Sequence, residues 1–151
     1  MYDQLIQAQA NAAEIACGRM SPPRLKALHE SLEATCRLPA DAGWERKAAA
    51  HAAFFGLLAA AADDPVVAPV LLSGGELAHA LMTTAGRAAD GIVINSRRRF
   101  LECVRAGDAE GAALELEEHL RILHVMCRLT GARRDERSST RDRARIQNTD
   151  S

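Results

Sequence analysis

Two polar side chains interrupt the apolar stripe of the segment WERKAAAHAAFFGLLAAAAD, which covers residues 44–63. Steps of three and four residues place Lys47 and His51 on the same helical face as the large apolar side chains. Lysine is seldom fully buried, and this chain contains only two lysines beside seventeen arginines. The pattern therefore predicts that a cation and an imidazole reach the interior of the protein.

Two later helical stripes carry one polar residue each. Arg97 aligns with Leu101, and His119 aligns with Leu120 and with further leucines of the last helix. If the three helices are neighbours, four polar groups converge in the core of a bundle, which is a common place for ligand and metal sites. In such a site Arg97 offers a planar fork for a carboxylate or phosphate, and Lys47 offers a point charge.

A structural network is the alternative interpretation of the same four residues. A buried cation without a partner is costly, so an internal acid or a bound anion must balance it. Arginine and lysine can also reach solvent with only their stems buried. The candidate internal acids are Glu45, Glu102, Glu115 and Glu118. The residues alone leave both interpretations open.

Composition and capping signals predict the elements that position these groups. Alanine, leucine, arginine and glutamate are frequent and favour helices, and no convincing strand pattern occurs. Helix starts and ends are indicated by proline, by glycine and by short polar caps. The capping signals are Ser21 with Pro22, Asp64 with Pro65, and Gly107 with Asp108.

We predict an all-α antiparallel bundle of six or seven helices. Residues 44–63 are expected to form one helix, and the fourth helical segment is expected to break near Ser73–Gly75, because two glycines destabilise a helix interior. The last helix should run from Ala109 to about Thr130. Residues 1–130 then form one domain, and residues 131–151 form a polar, arginine-rich tail that we expect to be poorly ordered.

Charge and hydropathy exclude some functions. The formal net charge is −1, so no global basic field indicates nucleic-acid binding. The longest apolar run, VVAPVLL, is too short to span a bilayer, and the first twenty residues lack the pattern of a signal peptide. We therefore expect a cytoplasmic protein without a membrane partner.

Three segments carry a family resemblance: AEIACGRMSPPRLKALHESLE, AAAHAAFFGLLAAAADDP and RRRFLECVRAGDAEGAALELEEHL. In this order and spacing, over residues 2–127, the chain resembles the effector-binding C-terminal (FCD) domain of FadR-type GntR transcription regulators. The resemblance implies an FCD-like bundle for ligand sensing and homodimerisation. Exposed apolar residues for such a dimer are expected at Ile6 and Leu38.

The same resemblance implies DNA binding through an N-terminal winged-helix domain of the parent regulator. This sequence carries no such region and opens in the first helix of the effector domain. We therefore expect either an excised domain or a stand-alone one.

In that family three histidines and an aspartate commonly bind a divalent metal that helps to hold a carboxylate effector. The resemblance places the aspartate position at Lys47 and the histidine positions at His51, Arg97 and His119. Charged lysine and arginine are not ordinary metal ligands, and they repel a divalent ion. We therefore expect no cofactor, or at most a weakly held metal on His51 and His119.

We expect instead that Lys47, His51, Arg97 and His119 bind a small carboxylate or another anionic metabolite directly. The alternative is a ligand-free structural and dimerisation bundle with a degenerate effector pocket. No nucleophile motif, phosphate-binding loop or paired carboxylates stand out, so we do not expect an enzyme.

Overall fold

The structure is a computed structural model that describes residues 2–149. Seven α-helices and one short 3₁₀ helix occupy this range, which contains no strand. The prediction of an all-α bundle with six or seven helices is therefore confirmed. The elements are α1 (Tyr2–Gly18), α2 (Pro22–Cys36), α3 (Trp44–Ala52), α4 (Phe54–Ala62), α5 (Val67–Ala85), the 3₁₀ helix (Arg87–Ala89), α6 (Asp90–Arg105) and α7 (Ala109–Thr149).

Helix α7 lies along both α1 and α6, and α5 packs against α1, α3, α4 and α7. Helix α2 packs on α4 and α6. The resulting core brings α3, α4, α6 and α7 around one buried region, which is where the candidate polar groups lie. Its largest fully buried apolar side chains include Phe55, Phe100, Leu58, Leu116 and Leu120.

The predicted caps are present at three helix starts. Oδ1 of Asp64 accepts hydrogen bonds from the backbone N–H groups of Val66 and Val67, at 2.8 and 3.0 Å. Ser21 and Asp108 likewise accept a backbone N–H through their side-chain oxygens at the starts of α2 and α7. These bonds satisfy donors that have no partner within their own helix, so they fix where each helix begins.

The prediction of one helix over residues 44–63 was wrong, because α3 ends at Ala52 and α4 begins at Phe54. At this junction the N–H of Gly56 donates to the carbonyl of Ala53 at 3.1 Å, an i to i+3 bond that tightens the turn. The junction turns Phe54 and Phe55 into the core one turn after His51.

The predicted break near Ser73–Gly75 was also wrong, because α5 is continuous through it. The two glycines serve close packing instead. A Cβ atom on Gly74 would overlap the side chain of Gln9, and one on Gly75 would lie 3.3 Å from the carbonyl oxygen of Ala52. Burial against α1 and the α3–α4 junction therefore outweighs the helix-breaking tendency of glycine.

The predicted end of the last helix near Thr130 was wrong as well. Helix α7 continues to Thr149, and the side chains of residues 132–148 are all exposed. This extension buries no residue in the bundle core, in keeping with its polar composition.

The expected dimer residues are placed differently from the prediction. Ile6 is fully buried, and Leu38 is half-buried. The core-facing side of α1 contains Ile6, Ala13 and Ala16, and it leaves Leu5 and Ile15 47% and 44% exposed. None of the described helices combines the length and apolar character needed to cross a bilayer.

Candidate functional site

Lys47 and His51 share one acidic partner, Asp90. Nζ of Lys47 lies 2.7 Å from Oδ2 of Asp90, and Nε2 of His51 lies 3.0 Å from Oδ1. The two basic side chains leave α3 one turn apart, and Asp90 is the first residue of α6. The carboxylate therefore holds α3 against the start of α6 with both of its oxygens.

The shared carboxylate also determines the proton on His51. Partial burial alone would raise the pKa of Asp90, but the hydrogen bonds from Lys47 and His51 hold that pKa below its ordinary value. Burial lowers the pKa of His51, and the bond to Asp90 opposes this only in part. The imidazole is thus neutral at pH 7, with its proton on Nε2, because the carboxylate only accepts.

Arg97 is the buried cation of the site, with only 2% of the residue exposed. Its guanidinium lies over the ring of Phe54 at 4.0 Å from the centroid, and 5.2 Å from that of Phe55. Its Nε and Nη2 atoms have no hydrogen-bond partner among the residues the structure describes. Stacking on an aromatic face stabilises a cation but satisfies none of its N–H groups.

No described acid neutralises Arg97. Oε1 of Glu115 lies 3.0 Å from Nη2 of Arg99, so its partner is the neighbouring arginine on the exposed side of α6. Burial lowers the pKa of Arg97 to about 9, which still leaves the guanidinium charged at neutral pH. The three other acids considered from the sequence, Glu45, Glu102 and Glu118, have exposed side chains.

His119 completes the buried cluster from α7. The residue is 1% exposed, and neither ring nitrogen has a hydrogen-bond partner within residues 2–149. Burial lowers its pKa well below the ordinary value, and the charge of Arg97 adds to the effect. A neutral imidazole carries one donor and one acceptor, and here both are unused.

A small cavity lies beside Arg97 and His51. Its volume is about 10 Å³, roughly the space of a single water molecule. A carboxylate needs more room, so binding requires side chains to move apart. The wall residues besides Arg97 and His51 are Ser31, Leu32, Thr35, Ala50 and Phe54.

The four residues predicted from the sequence therefore form two linked parts. Lys47 is bound to Asp90, whereas Arg97 lines the cavity, and His51 contributes to both parts. His119 is close enough to Arg97 for the guanidinium charge to lower the pKa of the imidazole. Asp90 was missed in the sequence, although it precedes Arg97 by seven residues, two turns earlier on the same helical face.

The residues do not fit the divalent metal that the resemblance implied. No group of three or more His, Cys, Asp or Glu side chains in the described part of the chain is placed to hold a metal ion. Nε2 of His51 is already engaged by Asp90, and the guanidinium of Arg97 stands in the same region. A positive charge at a ligand position opposes a second cation.

The FCD domain family model matches residues 8–122. The chain belongs to the FCD domain family. FCD domains are the ligand-sensing C-terminal domains of GntR-type transcription regulators, and they are regulatory rather than catalytic. The matched range contains the whole candidate site of this FCD domain, from Lys47 to His119. A comparison with curated proteins finds no match to the chain.

Proposed function

We propose that this FCD domain senses a small carboxylate, or another small anionic metabolite, bound at Arg97 in the bundle core. The observation that carries the proposal is the buried guanidinium whose Nε and Nη2 atoms have no partner in the described residues. These two atoms form one edge of the planar group, and that edge matches the two oxygens of a carboxylate. A bound anion would balance a charge that the described residues leave unbalanced.

His51 and His119 act in this proposal as orienting hydrogen-bond groups. His119 can donate a ring N–H to the anion, whereas His51, whose N–H points to Asp90, can only accept, from a hydroxyl group of the ligand. His51 lines the cavity with Arg97, and His119 has both ring nitrogens unused. Lys47 is engaged by Asp90 at 2.7 Å, so it supports the site by holding His51 and the start of α6. Its direct contact with the ligand, which the sequence suggested, is not part of the proposal.

The competing proposal is a ligand-free bundle with a degenerate pocket. The small cavity, about 10 Å³, is the observation that favours it. A ligand-free bundle leaves the buried charge of Arg97 without a balancing group among the described residues, and we therefore prefer an anion site.

We further propose that the site works without a metal, since no described ligand set fits one. Any metal would be held weakly by His51 and His119 alone, and two neutral imidazoles make a weak site. Elemental analysis of protein purified without a chelator or a metal-affinity tag should find no stoichiometric zinc, nickel or manganese. One equivalent of metal, lost in a His51→Ala variant, would contradict this part of the proposal.

In the regulator we propose, this domain forms a homodimer and transmits ligand binding to a winged-helix domain that contacts DNA. Its role is non-catalytic, and the regulator is of the FadR type. The family membership supports sensing and assembly as a class. A sedimentation experiment over a wide concentration range should show a dimer, and a monomer at every concentration would contradict the assembly.

The test of the anion site is calorimetry with a panel of small mono- and dicarboxylates on the wild-type chain and on Arg97→Met. Methionine keeps much of the stem but removes the fork and the charge. A charge-assisted hydrogen bond contributes about 1.5–3 kcal/mol, so affinity should fall by about tenfold to a hundredfold or more.

Arg99→Met is the matched control for that experiment. It makes the same substitution two residues later, on an exposed arginine that pairs with Glu115. We expect it to bind the ligand like the wild type. If no acid binds the wild-type chain, or if Arg97→Met binds as tightly, the ligand-free bundle is the better description.

A further inference from the structure

We infer that the site prefers monovalent carboxylates. Asp90 sets this preference because it neutralises Lys47, the second cation of the site. The inference rests on the proposed function, because it names the charge of the ligand that Arg97 binds. It follows from a count of the charges around the cavity and from where Asp90 lies relative to Arg97.

The buried cluster carries one uncompensated positive charge. Lys47 and Asp90 neutralise each other across 2.7 Å. His51 and His119 are neutral at pH 7, because burial lowers the pKa of each. Only Arg97 remains charged without an opposing group among the described residues. One carboxylate balances that charge, whereas a second would be buried without a partner, which is costly in a low-dielectric interior.

The position of Asp90 strengthens this preference. Asp90 and Arg97 are two turns apart on the same face of α6, about 10.5 Å along the helix axis. His51 bridges them, since its Nε2 donates to Asp90 while the residue lines the cavity beside Arg97. A second carboxylate that extends from Arg97 toward His51 therefore approaches the negative charge of Asp90.

Among residues 2–149, the other walls of the cavity offer no second cation. Leu32, Ala50 and Phe54 are apolar, and Ser31 and Thr35 carry uncharged hydroxyl groups. Oγ1 of Thr35 already donates to the carbonyl oxygen of Ser31 at 2.8 Å. These walls suit an apolar or hydroxylated tail on the ligand rather than a second charge.

The experiment compares acids that differ in charge at equal carbon number, at about pH 7.5, where all of them are fully ionised. The pairs are acetate with oxalate, propionate with malonate, and butyrate with succinate. Calorimetry should show that the tightest-bound monoanion of the wild-type chain binds at least about tenfold more tightly than its dianion partner. The wild-type comparison needs no variant, so it stands whatever the variants do.

Asp90→Asn tests the role of Asp90, because asparagine keeps the shape but removes the negative charge. The variant frees the charge of Lys47, so the preference for the monoanion should fall about tenfold or reverse. Asp90→Glu is the control that keeps the charge, and it should retain the preference. An unchanged ratio in a folded Asp90→Asn variant would remove Asp90 from the inference.

Failure of the charge preference and failure of the anion site give different results. If dianions bind the wild-type chain as tightly as monoanions, the charge preference is wrong while the anion site stands. If no acid of either series binds, the proposed function itself fails.

If Asp90→Asn does not fold, Lys47→Met gives the second test. It leaves Asp90 unbalanced, so it should weaken every acid and the dianions most, and equal weakening of both series would contradict the inference.

Discussion

Nζ of Lys47 lies 2.7 Å from Oδ2 of Asp90, so the lysine in the apolar stripe of α3 is one half of an ion pair with α6. The pair explains how a lysine is tolerated there, because its charge is balanced and its side chain is still 19% exposed. An internal acidic network therefore holds Lys47 and His51, through Asp90 and not through one of the four acids considered from the sequence. It does not extend to Arg97, whose unpartnered edge is the reason for proposing a ligand.

The energetic link between Lys47 and Asp90 can be measured by a double-mutant cycle with Lys47→Met and Asp90→Asn. Urea unfolding of the four proteins should give a coupling energy of about 0.5–3 kcal/mol. The control cycle uses Arg19→Met and Asp64→Asn, an ion pair at 3.4 Å whose arginine side chain is 51% exposed. The coupling energy of this control pair should be about 0.2–1 kcal/mol. A coupling energy between Lys47 and Asp90 that is smaller than that of the control pair would contradict the arrangement.

Arg97→Met should leave the free domain as stable as the wild type or make it more stable. Removing an unbalanced buried charge is favourable, whereas losing the stacking on Phe54 costs part of that gain. We expect the free energy of unfolding to change by between zero and an increase of about 3 kcal/mol. Denaturant unfolding without added acids measures it. Arg99→Met supplies the surface reference, and a loss of more than about 1 kcal/mol relative to it would indicate an internal partner for Arg97.

Stability should fall as the pH is lowered below about 6.5. Burial lowers the pKa of both His51 and His119 in the folded state, so the unfolded chain binds more protons in this range. The free energy of unfolding therefore rises with pH, and each histidine contributes up to about 1.4 kcal/mol per pH unit. The contribution is complete above the unfolded pKa of histidine and is lost on acidification. Asp90, whose folded pKa is also lowered, adds a further loss below about pH 4.

Urea unfolding at several pH values between about 5 and 8 measures this dependence. His119→Gln removes one of the two groups and should reduce the slope. Slopes are compared rather than absolute stabilities, because glutamine also changes the packing. An identical slope in the two proteins would show that His119 takes up its proton in the folded state.

Residues 132–148 should exchange their amide protons much faster than the part of α7 that lies in the bundle. Their side chains are all exposed, and a single helix without packing is marginally stable in water. Hydrogen exchange read by mass spectrometry compares this segment with residues 112–123. Removal of residues 132–151 should change the free energy of unfolding by less than about 0.5 kcal/mol. Equal protection of the two segments would contradict the predicted poor order of the tail.

The inward direction of His51, Arg97 and His119 was predictable because helical spacing alone fixes which residues share a face. Family membership was predictable from the order of three segments, and the matched range of residues 8–122 agrees with it. The caps at Asp64 and Asp108 were also readable, since each depends only on its local chain.

Other features depend on contacts between distant parts of the chain. Asp90 is 43 residues from Lys47, and its place at a helix start resembles that of any solvent-facing capping acid. The continuous α5 depends on the packing of Gly74 against Gln9, which helix propensity does not describe. The burial of Ile6 depends on which face α1 turns toward the core. The many alanines of this helix allow more than one packing face, so the spacing does not fix it.

The glycine pair of α5 also affects how the selectivity of the proposed anion site can change by substitution at a distance. A Cβ atom on Gly75 would lie 3.3 Å from the carbonyl oxygen of Ala52 and 3.3 Å from Cβ of Phe55. Phe55 supports the guanidinium of Arg97, and Ala52 directly follows His51. Glycine at this position thus sets the helix spacing behind Arg97 and His51. A single added methyl group there would change the size of the cavity while leaving every side chain of the proposed anion site unchanged.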